Sequence, residues 1–386
     1  MELTLPVALM GGPPGIRILN AVGPKKYFAM QNSVLSVIVG SRNPETQGYI
    51  QVNLVKDVLD TRSGHYTVFA TNGTEQMLHV DFDTGHYAMT APGGDTVTGA
   101  FAEDPTDPGT YIFSSERIAT VLNTARFRVT TDAIVGAFPF SIFRSTPTAY
   151  AAQPFIAARF FVSNRSELAG LYNVLIASGS SNNRGYMGAY WQLRINDSGT
   201  IATQCVAGTL LCQTPAASPT SYDYSIAAGA SPGVWLFIPS SGTPAFALRS
   251  AKIGSRKVLL ESKEFVNILS APNAPEPAWL LLTGLRESPP GTEDASWPML
   301  TMHSASTAST FGTAFTNASS YRTEYVQPNG TSAALALTLE LNPGSSQTRL
   351  GKDVSGARFL VLQNGAMTLM MPMGPAINHL HIGLAD

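Results

Sequence analysis

The sequence predicts an all-β protein, and three observations carry that prediction. Apolar and polar residues alternate with a period of two over strand-length windows along most of the 386 residues. The windows are punctuated by turn-forming residues, with 34 Gly and 26 Pro in the chain. Helical periodicity is nearly absent.

In chain order, alternating windows occupy 34–40, 48–55, 66–73, 77–82, 126–131, 155–162, 173–179 and 189–195. They continue at 200–206, 234–240, 257–262, 278–284, 335–341, 358–364 and 379–383. Each is rich in Val, Ile, Thr or aromatic residues and bounded by Gly, Pro, Asn or Ser, the composition of a half-buried strand. Two windows read as short helices. Residues 114–125 place Ile118, Val121, Leu122 and Ala125 on one face after a serine cap, and 261–269 have length for two turns. The clearest local element is the hairpin 190–208. Trp191, Leu193 and Ile195 alternate with polar residues, Asn196-Asp197-Ser198-Gly199 turns the chain, and Ile201, Thr203 and Cys205 alternate back.

Three segments follow from composition shifts. Residues 1–28 are Gly/Pro-rich without a clear period and read as an N-terminal arm. The Pro- and Ala-rich stretch 144–154 separates a smaller β-domain at 29–148 from a larger one at 149–386. Long loops of small residues at 213–225 and 304–320 are the kind that carry binding or contact surfaces.

Charged residues are 13% of the chain, about half the usual share of about 25%. A surface polar through Ser, Thr and Asn suits a subunit that buries its exterior against copies of itself. The net charge of −2 gives no electrostatic footprint for nucleic acid. No apolar run reaches the ~18–20 residues of a membrane span, so no membrane insertion is expected. The N-terminus has Glu2 and no basic region, unlike a signal peptide. Cys205 and Cys212 are too few for a disulfide framework and are expected as free thiols of a chain made in a reducing cytoplasm.

Candidate chemistry is sparse. In 79–86, His79, Asp81 and Asp83 fall on one face of a strand, and the pair His79-x-Asp81 has the spacing found in iron sites of two histidines and one carboxylate. Such a site needs a distal histidine. His86 is too near, and His303 lacks the downstream basic residue those oxygenases use, so the stretch reads as a strand and a turn. A glycosidase on a β-sandwich needs paired carboxylates on one strand. Glu261 and Glu264 fall in the expected helix and Glu293-Asp294 in a loop, all read as solvated charge. No nucleophile elbow or phosphate-binding glycine loop occurs. An enzyme is therefore not expected. Tyr186, Tyr190, Tyr222 and Tyr224 cluster around the hairpin and offer ring faces to a sugar. Trp191, Trp235 and Trp279 read as core, and the Met-rich 367–375 as a core or subunit interface.

The succession of the strand 155–163, the strand 173–179, the hairpin 190–201, a Trp-led strand from 233 and the late segment 358–386 resembles the concanavalin A-like, laminin-G-like jelly roll found in bacteriophage tail and surface proteins. The resemblance covers about 150–386. It implies an antiparallel β-sandwich, a virion location, and attachment through oligomeric assembly with other virion proteins and a cell-surface glycan. Calcium is the cofactor such domains take, and Asn196 and Asp197 are the residues that would hold it. A capsid subunit of two jelly rolls and a β-sandwich glycan hydrolase are the alternatives.

Overall fold

The computed structural model describes residues 8–10, 16–20, 26–31, 34–39 and 53–55. From 60 onward it describes all but 115–116, 118–124, 144–145, 181–186, 207–211, 213–220, 268–275, 288–294, 304–307, 317–318, 327–331, 342–346, 374–378 and 385–386. The chain divides into two compact units, Met1–Asp60 and Thr61–Asp386. The first holds a five-stranded antiparallel meander of β1 (Ala8–Met10), β2 (Ile16–Asn20), β3 (Lys26–Gln31), β4 (Val34–Val39) and β5 (Asn53–Val55). Strands β1 and β2 lie within the segment read as an arm.

The second unit is three closed eight-stranded antiparallel barrels in series. The first comprises β6 (Gly64–Ala70), β7 (Glu75–Asp81), β8 (His86–Thr90), β9 (Thr96–Glu103), β10 (Thr110–Ser114), β11 (Arg126–Val129), β12 (Ala133–Phe143) and β13 (Thr146–Ala158). The second comprises β14 (Gly170–Ser180), β15 (Met187–Ile195), β16 (Ile201–Val206), β17 (Ser221–Ala228), β18 (Val234–Ile238), β19 (Phe246–Ile253), β20 (Arg256–Asn267) and β21 (Glu276–Arg286). The third comprises β22 (Ala295–His303), β23 (Ala308–Thr316), β24 (Ser320–Val326), β25 (Ser332–Leu341), β26 (Thr348–Lys352), β27 (Arg358–Gln363), β28 (Met367–Pro372) and β29 (His379–Leu384). In each, every strand pairs with the next, and the last closes on the first: β13 on β6, β21 on β14, β29 on β22. Closure leaves no free sheet edge.

The antiparallel all-β class is as the alternation predicts, but the sheets close as meander barrels, which corrects the jelly-roll sandwich expected for 149–386. A jelly roll needs long connections that skip strands. Here nearest neighbours in sequence are neighbours in the sheet throughout, and both architectures use the same hairpin chemistry. The boundary placed near 148 falls inside β13, which pairs with β12 and β6. The helix expected at 261–269 is a correction as well: its residues to Asn267 belong to β20. The helix expected at 114–125 lies largely outside the described residues.

Alternation places one face of each strand inside its barrel. The first interior is aromatic, with Tyr66, Phe113, Phe127, Phe138, Phe140 and Phe155 all buried. The second holds Trp191, Leu193, Trp235, Phe237 and Leu259. The third holds Tyr321, Leu337, Phe359, Val361 and Met370. A further core lies outside all three. Phe69, Val135 and Ile156 of the first barrel, Leu260, Leu281 and Leu285 of the second, and Leu362, Met367, Leu369 and Ile382 of the third pack together. Strands meeting there are buried on both faces, so residues 133–140 are buried without interruption.

Polar ties reinforce the packing between barrels. Arg249 Nη2 meets Glu75 Oε1 at 2.6 Å, and the Ser262 hydroxyl donates to the Ala70 carbonyl. The tip of the β6–β7 turn is glycine because a side chain on Gly73, at φ +79°, would meet the β20 backbone at Lys263 and Glu264 at 2.7 Å. Cys205 and Cys212 are joined by a disulfide, with Cα atoms 5.5 Å apart, which corrects the expectation of free thiols. The bond closes a short loop, and its chain-entropy contribution is about 2–3 kcal/mol.

Candidate functional site

The sequence-predicted site residues are not brought together. Tyr186 lies outside the described residues. Tyr190 is on the outer face of β15, where its hydroxyl donates to Asn173 Oδ1 at 3.1 Å and pairs with Thr348 Oγ1 of the third barrel, also at 3.1 Å. It ties two barrels together. Tyr224 is inside the second barrel, its hydroxyl donating to Gln204 Oε1 at 2.6 Å, and burial raises its pKa. Tyr222 shares that strand face but is 52% exposed at the barrel end. Asn196 spends its side chain on the hairpin turn. Its Oδ1 accepts from the Thr200 N–H at 2.8 Å and the Ile201 N–H at 3.2 Å, while Asp197 is exposed. This is turn closure, with Gly199 at φ +71°.

The 79–86 stretch is β7, a turn, and the start of β8. His79 and Asp81 lie on the outer face of the first barrel, with His65 of β6 opposite His79 and His86 of β8 opposite Asp81. The His65 and His79 rings are 4.6 Å apart. Asp81 closes the turn, accepting from the Thr84 hydroxyl at 2.8 Å and the N–H groups of Asp83 at 3.0 Å and Thr84 at 3.2 Å. The Thr84 hydroxyl bond, chief among these, lowers its pKa. Among the described residues no three His, Cys, Asp or Glu are grouped to hold a metal.

Among the described residues, a cavity opens at one end of the first barrel, bounded by the β6–β7 and β8–β9 turns, by Arg117 between β10 and β11, and by Ser141 of β12 and Tyr150 of β13. It encloses about 250 Å³, lined by Asn72, Thr74, Gln76, Asp95, Arg117 and Tyr150 above a floor of Met89, Val97 and Phe140. Asn72 shapes the rim: its Nδ2 donates to the Ser141 carbonyl at 3.0 Å, and its Oδ1 accepts from the Thr74 hydroxyl at 2.8 Å. The Arg117 guanidinium lies over the Tyr150 ring, 4.5 Å from its centroid, a cation–π contact that holds both side chains at the rim. Among the described residues, Asp95 is the one carboxylate in the lining. Sequence reading missed this site because its residues come from separate strands and turns spread from Asn72 to Tyr150.

Sequence reading also missed Glu261, taken as solvated. It is on the inner face of β20 beside Leu259 and only 6% exposed. Its Oε1 accepts from the Ala247 N–H at 3.1 Å, and Oε2 has no hydrogen-bond partner among the described residues. Burial raises its pKa above the usual glutamate value. The folded chain thus binds this proton more tightly than the unfolded chain, so the contribution to stability is present at low pH and lost as pH rises through the raised pKa. Glu261→Gln keeps the acceptor and removes the charge. It is expected to stabilise the protein by about 1–2 kcal/mol at pH 7, with the difference vanishing below the ordinary glutamate pKa of about 4.3. Urea unfolding of both proteins at several pH values checks this, and equal stability throughout would contradict it.

Among the described residues no helix is long and apolar enough to cross a membrane. No protein-family model matches the chain, and no curated protein matches it. Among solved structures, one described as intact Ap-TbpB with its N and C lobes aligns over 98% of this chain and 86% of its own, at 9% identity and a TM-score of 0.23.

Proposed function

We propose that the chain is a non-catalytic attachment protein of a virion surface that binds a glycan at the mouth of its first barrel and acts in multiple copies. The cavity at that end of the barrel carries this reading. An amide, hydroxyls and a carboxylate around an aromatic ring and an apolar floor suit a sugar, whose hydroxyls need directional partners and whose ring has an apolar face. The sparsely charged exterior supports assembly, and the closed barrels supply a rigid mount for the rim.

A glycan array, followed by calorimetric titration of the hits, tests the reading. Binding is expected to weaken about tenfold in Tyr150→Ala and in Arg117→Ala, the loss of about 1.4 kcal/mol each. An array without hits, or affinity unchanged in both variants, would overturn it.

A further inference from the structure

We propose that one end of the second barrel binds a phosphate group through Lys252, Lys257 and Arg286. The pairing register sets these cations side by side. Lys252 of β19 is directly opposite Lys257 of β20. Val258 is opposite Leu285, which brings Lys257 beside Arg286 of β21, and Arg286 is in turn opposite Tyr172 of β14. Each cation alternates with residues of the core between barrels: Ala251 and Ile253 in β19, Val258 in β20, Leu285 in β21. All three therefore rise from the opposite strand face, the one that lines the barrel interior, where Tyr172 of the same row is packed. Lys252 is 44% exposed, so the row opens to solvent at the barrel end.

Such a row opposes folding. Directly opposed residues have Cβ atoms about 4.5–5.5 Å apart, and like charges at that spacing are destabilising. The carboxylate that answers them is Glu167, in the short 3-10 turn Arg165–Leu168. Its Oε2 meets Lys252 Nζ at 2.7 Å, and its backbone carbonyl accepts from the Lys257 ammonium. Glu287, next to Arg286 in sequence, alternates to the other face and accepts from Asn173 Nδ2 at 3.2 Å. Three cations against the one carboxylate of Glu167 leave a net charge of +2 in the row, the complement of a phosphate dianion.

A second observation points to a bound anion. A Cβ on Gly170 would meet Arg286 Nε at 2.5 Å, so the lack of a side chain there is what lets the guanidinium lie against β14. Seated in this way, half-buried, Arg286 has no hydrogen-bond or ion-pair partner among the described residues. A guanidinium presents a planar fork of donors that matches two phosphate oxygens at once, and lysines add compact point charges beside it. Burial, and then the Arg286 charge, push the Lys257 pKa below the ordinary lysine value. An anion seated in the row would relieve that repulsion.

The test titrates the full chain calorimetrically, in a low-salt buffer free of phosphate, with inorganic phosphate and with glycerol 3-phosphate. Neither probe is a sugar, so the outcome does not depend on the first-barrel cavity. One site per chain is expected, and the tighter probe tells whether the free ion or a phosphate ester is the ligand. Arg286→Gln and Lys257→Gln should each weaken binding about 10–100-fold, the usual worth of a hydrogen bond to a charged group. Added sodium chloride should weaken the parent as well, by screening. Circular dichroism identifies any variant that fails to fold, and Lys252→Gln repeats the test from the exposed end of the row. Arg322→Gln, which removes an exposed cation of the third barrel, should bind as the parent does. The proposal is overturned if neither probe binds stoichiometrically, if binding survives in the folded variants of the row, or if Arg322→Gln weakens it as much as they do.

Discussion

Phe127→Ala is expected to lower the stability of the first barrel by about 3–5 kcal/mol, the usual range for deleting a buried aromatic ring. Phe127 is fully buried at the hub of the barrel's ring cluster. Its centroid lies 4.4 Å from Phe113, 5.3 Å from Tyr111, where the rings stack, and 5.4 Å from Phe101 in an edge-to-face contact. Such pairs contribute about 0.5–1.5 kcal/mol each beyond the area they bury, so the loss belongs at the upper end. Gly136 is the cross-strand partner that makes room: a Cβ there would meet Phe127 Cβ and Phe155 Cε1 at 2.8 Å. Phe127→Leu should recover part of the loss by refilling some volume without the ring contacts. Urea unfolding followed by tyrosine fluorescence reads both variants. A loss below about 1 kcal/mol in Phe127→Ala would mean the cavity collapses or the ring is not central.

How far this architecture was legible follows from what each residue pattern encodes. Alternation in windows such as 77–82 and 335–341 marks strands with one buried face, and β7 and β25 lie there. The hairpin at 190–208 was legible because Asn196 and Gly199 encode their turn locally, and both sit in it as expected. Barrel closure was not legible. It depends on β13 meeting β6 and β21 meeting β14, pairings between strands far apart in sequence with no motif of their own. Residues 261–269 misled because Glu261 and Glu264 look like charges on a helix surface, whereas Val258 and Leu260 face the core between barrels and Leu259 and Glu261 face inward. The tyrosines misled for a related reason. Sequence proximity grouped Tyr190 with Tyr224, but the parity of their strands puts one outside the barrel and the other inside. The cavity at the first barrel's mouth was invisible because ring closure, not sequence, brings Asn72, Asp95, Arg117 and Tyr150 together.

The unbroken apolar runs are the one long-range feature the sequence does carry, and they support a second prediction of large effect. A strand inside a single barrel needs only one apolar face. Residues 133–140, 258–260 and 359–362 are buried on both faces, because their outer sides meet in the core shared by the three barrels. Leu260→Ala, on that outer side, should cost about 2–5 kcal/mol, and so should Leu259→Ala one residue earlier on the inner side. The two should differ in where the damage appears. Leu259→Ala empties the second barrel's interior, so amide exchange should quicken in β14 to β21. Leu260→Ala weakens docking, so exchange should also quicken in strands that face it from other barrels, such as β12, β13 and β27 to β29, while the inner cluster around Trp191 and Trp235 stays protected. Identical exchange patterns in the two variants would mean that the barrels unfold as one block and that the shared core has no separate opening transition. A quickening confined to the second barrel in both would mean that the outer leucine does not couple the barrels, leaving the contacts of Glu75 with Arg249 and of Tyr190 with Thr348 to hold them.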